Sequence, residues 1–167
     1  MKKITALSIL FFSFVLLMSA RGEDNAFDAE INTLKQECKD LIKECRYEGS
    51  KVTYYNTKGE KQTKNVELFM FLKNEYQIAI SAKKVSAPLT IKLYDAASDM
   101  KKRVLIKEYK NVQGTNFKIS STDLNEIYRK KVPEIDRLKN VHIDYVIGSS
   151  KSGSSKEAVV LVYGNKS

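Results

Sequence analysis

Apolar residues between Val66 and Asp95, in the stretch VELFMFLKNEYQIAISAKKVSAPLTIKLYD, recur with a period near two. Val66, Leu68, Met70 and Leu72 share one face of a first run. Tyr76, Ile78 and Ile80 share a face of the second, and Leu89, Ile91 and Leu93 of the third. Alternation in β-branched and aromatic company predicts half-buried strands. Further along, Val104 to Tyr109 reads as a strand, Phe117 and Ile119 mark a short one, and Val141, Ile143, Tyr145 and Ile147 alternate with His142 and Asp144. Ala158 to Tyr163 is apolar on both faces, which predicts a central strand. Lys51 to Tyr55 and Gln62 to Leu72 flank the glycine-containing segment Asn56 to Glu60, which reads as a hairpin connection. Pro88 cannot donate to a ladder, so it belongs at a strand start or edge.

The period changes at two places. Phe27, Ile31, Leu34, Cys38, Leu41 and Cys45 are spaced by three or four, one apolar stripe of a helix predicted from Asp24 to Cys45. Asp24 or Asn25 can cap its start, and Gly49 marks its exit. Intramolecular packing of this stripe on the sheet is expected ahead of a coiled coil, because the run is short for the latter. Later, Ser120-Ser121-Thr122-Asp123 is a helix start, Leu124, Ile127 and Tyr128 form its buried side, and Val132-Pro133 ends it. Ile135 and Leu138 are expected to pack a linking turn, and the Ser/Gly-rich Gly148 to Lys156 to form an exposed loop. The fold class that follows is mainly β: an antiparallel, jelly-roll-like sandwich of about eight strands, with an N-terminal amphipathic helix and one short late helix. Leu34, Leu41, Leu68, Met70, Ile78, Ile80, Ile91, Leu93, Ile143 and Tyr145 are its expected core.

The first 22 residues stand apart. Lys2 and Lys3 precede an almost unbroken apolar run from Ile4 to Met18, and Ser19, Ala20 and Gly22 supply small residues for a signal peptidase. The run is shorter than a membrane span requires, so cleavage after Ala20 or Gly22 is expected rather than a retained anchor. No cysteine lies near the cut, which argues against a lipid-anchored protein. The domain reading is therefore 1–22 signal peptide, 23–48 amphipathic helix packed on the sandwich, and 49–167 β-sandwich. The expected location is exported, periplasmic or secreted, with no transmembrane segment after cleavage.

Two cysteines in an exported chain invite a disulfide. Cys38 and Cys45, seven apart on one helix, would have Cα atoms about 10.5 Å apart, beyond the roughly 7 Å a bridge allows. Both are therefore expected reduced and inward-facing, the bridge surviving only if the helix ends near Leu41. Cleavage after Gly22 removes Lys2, Lys3 and Arg21 and no acid, which takes the net charge from +9 to +6. The surplus is scattered over Lys58, Lys61 and Lys64, Lys83 and Lys84, Lys101 to Arg103, and Arg129 to Lys131. It favours diffuse contact with anionic surfaces, and no specific nucleic-acid motif accompanies it.

Candidate chemistry is sparse. His142 is the only histidine; it shares a face with Asp144 opposite the apolar set, which predicts a solvated side chain. A Ser-His-Asp arrangement would have to borrow a serine from the Gly148–Ser155 loop, and the G-x-S-x-G elbow is absent. Asp95, Ser98 and Asp99 could offer oxygens to calcium, yet two carboxylates are few for an ion that takes six to eight ligands, and a plain turn is the expectation. Sugar binding would need a flat aromatic surface; there is no Trp, and only Tyr54, Tyr55, Tyr94, Tyr109 and Tyr163 could supply one. The expectation is a non-enzymatic chain with no catalytic, metal or cofactor-binding residues and no cofactor. Its partner is an unknown protein or glycan of the cell envelope, with a carbohydrate-binding module and then a small secreted hydrolase as alternatives.

The run ECRYEGSKVTYYNTKGEKQTKNVELFMFLKNEYQIAIS, with TIKLYD, FKISSTDLNEIYR and HIDYVIG, resembles a group of small secreted bacterial β-sandwich proteins without assigned function. Its strand order is similar to the jelly roll of the pre-peptidase C-terminal type. The resemblance implies the fold, an envelope location and an accessory or binding role, and it carries no functional residue over.

Overall fold

The computed structural model describes residues 25–56, 60–70, 74–149 and 156–166. The signal-peptide reading of 1–22 lies outside them, as do Leu72 and most of the Gly148–Ser155 loop. The chain divides into two compact units, Met1–Thr33 and Leu34–Ser167. Of the first, residues 25–33 are described, all within helix α1 (25–41).

Among the described residues, eight strands make two antiparallel four-stranded sheets: β1 (Arg46–Asn56), β8 (Lys156–Lys166), β3 (Glu75–Ser81) and β6 (Asn116–Ser120) in that spatial order, and β2 (Gln62–Phe69), β7 (Asn140–Ile147), β4 (Leu89–Tyr94) and β5 (Leu105–Tyr109) in the other. We call them sheets A and B. The chain crosses between sheets at nearly every connection, and the first strand pairs with the last. This is a jelly roll. The expected hairpin between the first two strands does not form: β1 pairs with β8, and β2 with β7. The physical reason lies in β8, which is apolar on both faces and is completed only by a neighbour on each side, β1 and β3.

The inward faces meet in one core. Leu89, Ile91 and Leu93 of β4 alternate buried with the half-buried Thr90, Lys92 and Tyr94. Beside them in the same sheet, Ile143, Tyr145 and Ile147 of β7 and Val66 and Leu68 of β2 project inward to meet Ile78, Ile80, Val159 and Leu161 of sheet A. Burying each of these side chains contributes about 1.5–3 kcal/mol. Every expected core residue is buried except Leu41, which is half-buried; Ile42 takes its place. Helix α1 stops at 41 and a turn rotates the stripe, so Ile42, not Leu41, follows Cys38 inward. Cys45 then stands outside the helix, half-buried, and Gly49 lies within β1 at a register shift.

The outward face of sheet A is apolar too. Ala79, Ala158, Val160 and Val162 alternate with the core set and are wholly inaccessible. Residues 34–45 lie over this face. Lys118, the register partner of Ala79, reaches Glu44 at 3.3 Å, and both Lys83 and Asn116 reach Glu37 at 2.7 Å. Gly164 is required here, since a Cβ at that position would stand 2.5 Å from the Arg46 carbonyl oxygen. Helix α2 (Ser121–Lys131) begins as read: Ser120 caps it by accepting from the Thr122 N–H, Asp123 sits in the first turn, and three basic residues sit in the last. Its Leu124 and Tyr128 join the core, whereas Ile127 is partly buried against it.

Candidate functional site

The outward face of sheet B differs from that of sheet A because polar side chains close it. Register places His142 beside Tyr94 on β4 and Glu67 on β2, and Asp144 beside Lys92 and Asn65. Asp144 is 2 % exposed. One of its oxygens accepts from Asn65 Nδ2 at 2.7 Å, and the other meets Arg103 Nη2 at 2.8 Å. The Arg103 guanidinium sits over the Tyr94 ring, its Cζ 3.7 Å from the centroid. Arg103 thus clamps the end of the β4–β5 loop onto the sheet by charge and by cation–π contact.

This overturns the solvated reading of His142, which is 5 % exposed. The alternation correctly put it outward; it did not show that Glu67, Tyr94 and the Arg103 clamp would cover it. His142 Nε2 faces Glu67 Oε1 at 3.4 Å, and Asn140 donates to the same oxygen at 3.0 Å. Since both oxygens of Asp144 are taken by Asn65 and Arg103, His142 and Asp144 are not coupled as a relay. The Lys101–Arg103 cluster also loses a member, because Arg103 is committed to Asp144. Among the described residues, no group of three or more His, Cys, Asp and Glu could hold a metal ion.

Asp95 is not presented to a cation. Its Oδ1 accepts from the Val104 N–H at 2.6 Å and its Oδ2 from the Tyr128 hydroxyl at 2.9 Å. It closes the β4–β5 loop and ties that loop to α2. Burial and the bond to Asp95 push the Tyr128 hydroxyl up to about 12. Asp95 and Tyr128 form one wall of a groove of about 950 Å³ at the end of sheet B where β7 begins. The opposite wall is the connection from α2 to β7, residues 134–140. Leu138 of that connection is buried as expected, but Ile135 is 42 % exposed and faces the groove instead of packing the turn.

The five tyrosines are dispersed. Tyr55 is buried and donates to Glu157 at 2.8 Å, Tyr94 lies under Arg103, Tyr109 tilts against Phe117 at 5.1 Å, and Tyr163 packs against Gly49. Tyr54 alone is strongly exposed. Glu157 is a buried carboxylate that the sequence reading passed over; it also accepts from the backbone N–H of Ser86 at 2.9 Å and from its hydroxyl, pinning the segment before β4 to the start of β8. An acid at the head of a strand apolar on both faces was the available signal. Both cysteines are free thiols. Burial, reinforced by Glu37, pushes Cys38 up to about 12, and burial raises Cys45 as well, so neither is a ready nucleophile.

No family model, curated protein or solved structure matches the chain.

Proposed function

We propose that this chain is an exported, non-enzymatic interaction module of the cell envelope or its surroundings, with its partner held in the groove between Asp95 and the α2–β7 connection. One observation carries the reading: a groove of about 950 Å³ presents an exposed aliphatic side chain, Ile135, at the end of a two-sheet scaffold. Loops on such scaffolds are where binding residues collect. The charged N-terminus, apolar run and small residues before residue 23 support export.

The other readings have less support. A sugar platform needs several tyrosines on one surface, and these are spread over the core, both sheets and a clamp. A hydrolase needs His142 coupled to an acid and a nucleophile; Asp144 is taken by Asn65 and Arg103, and the acid that does face His142, Glu67, has no serine or cysteine placed with it among the described residues.

Expression of the full chain followed by N-terminal mass analysis of the exported fraction should show a start at Arg21 or Glu23. Retention of Met1 in the membrane fraction would overturn export. The mature protein, immobilised beside a glycan array and exposed to envelope extracts, should capture a protein that Ile135→Asp no longer retains. Micromolar glycan binding with no protein recovered would replace the interaction reading by the carbohydrate one.

A further inference from the structure

We infer that the groove accepts an extended peptide segment of a partner protein in which basic residues stand next to an apolar one; this rests on the interaction-module reading and adds the chemistry of the partner. The chain as a whole is basic, with 29 lysines and arginines against 20 acids. The groove reverses that balance: Asp95, Glu134 and Asp136 line it, against Arg137 and Lys139. Asp95 is occupied by Tyr128 and Val104, so it supplies field rather than a free ligand. Glu134 and Asp136 are different. Both are exposed, and neither makes a side-chain hydrogen bond or ion pair among the described residues.

The order of these residues sets the complement. Glu134 and Asp136 flank Ile135, so two unpaired carboxylates bracket one exposed apolar side chain. Large apolar side chains in the open are anchor points, and a polar rim around them selects the partner's charge. A lysine or arginine beside a leucine, isoleucine or phenylalanine matches both: the apolar side chain meets Ile135, and the cation meets a carboxylate that has no partner among the described residues. A divalent cation is a poorer match, since the acids do not gather into a ligand cluster.

The test is selection of random peptides on the immobilised full-length protein, followed by affinity measurement of the recovered peptides by fluorescence anisotropy. The wild type is compared with the double variant Glu134→Lys, Asp136→Lys and with Ile135→Asp. All three positions are exposed, and unchanged thermal unfolding confirms that the variants fold. Recovered peptides should share a basic residue next to an aliphatic or aromatic one. Charge reversal should weaken them by about tenfold or more at roughly 0.15 M salt, with the loss growing as salt is lowered. Ile135→Asp should weaken them to a similar degree. Peptides without basic residues, or peptides that bind both variants as well as wild type, overturn the inference while leaving the interaction reading in place. Recovery of no peptide, together with an envelope capture that is empty, overturns both.

Discussion

Strands β7 and β8 occupy the same position in opposite sheets, each a central strand with antiparallel neighbours on both sides. Both are almost entirely buried. They reach that state by opposite means. The outward residues of β8, Ala158, Val160 and Val162, are small and apolar, and residues 34–45 lie over that face. The outward residues of β7 include His142 and Asp144, and the cover is made of hydrogen bonds and charge from Asn65, Glu67 and Arg103. Apolar cover tolerates changes of shape but no charge. Polar cover tolerates no loss of a single partner, because the group left behind is buried and unpaired.

The largest effect should come from placing a charge where the apolar cover lies. Val160→Asp should cost about 4 kcal/mol or more, enough to abolish a cooperative unfolding transition in a domain of ordinary stability. A soluble variant with a normal melting curve would mean that this face is open. Next comes loss of a polar partner. Asp144→Ala should cost about 3 kcal/mol by urea denaturation, at the lower end for a buried pair because Arg103 is 24 % exposed. The double variant Asp144→Leu, Arg103→Met sharpens the contrast: it gives sheet B an apolar cover and should recover to within about 1 kcal/mol of wild type. If the double variant is no better than the single one, the clamp has a role that apolar packing cannot replace. Gly164→Ala, which drives a Cβ into the Arg46 carbonyl, should cost about 1–3 kcal/mol.

The smallest effect is electrostatic. Hydrogen bonds from Lys83 and Asn116 hold the Glu37 carboxyl below its ordinary 4.5. A carboxyl lowered in the folded state adds stability above its unfolded value, and that contribution disappears as pH falls through the lower, folded value. Acid titration of stability should therefore be shallower in Glu37→Gln than in wild type below about pH 4.5, with no difference in slope near neutrality. Identical acid limbs would remove Glu37 as a tie between residues 34–45 and sheet A.

Alternation identified faces well and partners poorly. It placed Leu68, Ile78, Ile91, Leu93 and Ile143 inside, put β8 at a sheet centre, and located the cap of α2, because period and capping are local properties. It misjudged the first hairpin, since β1 finds its partner at the other end of the chain and nothing in a ten-residue window records that. Alternation puts His142 and Asp144 on the outward face correctly and His142 in water wrongly, because the cover comes from Glu67 and Tyr94 on neighbouring strands and from Arg103, which arrives from a loop to hold Tyr94 and Asp144. The groove was the least legible feature. Ile135 looks like any apolar residue in a turn, and only the path of 134–140 away from Asp95 leaves it facing open space.

The union of the first strand with the last also governs when the fold can form. Arg46 meets Asn165, and Asn56 meets Lys156, so sheet A has no centre until the end of the chain has been made. Contacts between residues so distant in sequence are formed late, and domains dominated by them fold in milliseconds to seconds rather than microseconds. A nascent chain ending before Lys156 would carry β3 and β6 with no β8 to join β3 to β1, leaving strand edges free to pair with other chains. The interval between synthesis of the first strand and the last is thus the period in which this protein is most exposed to aggregation.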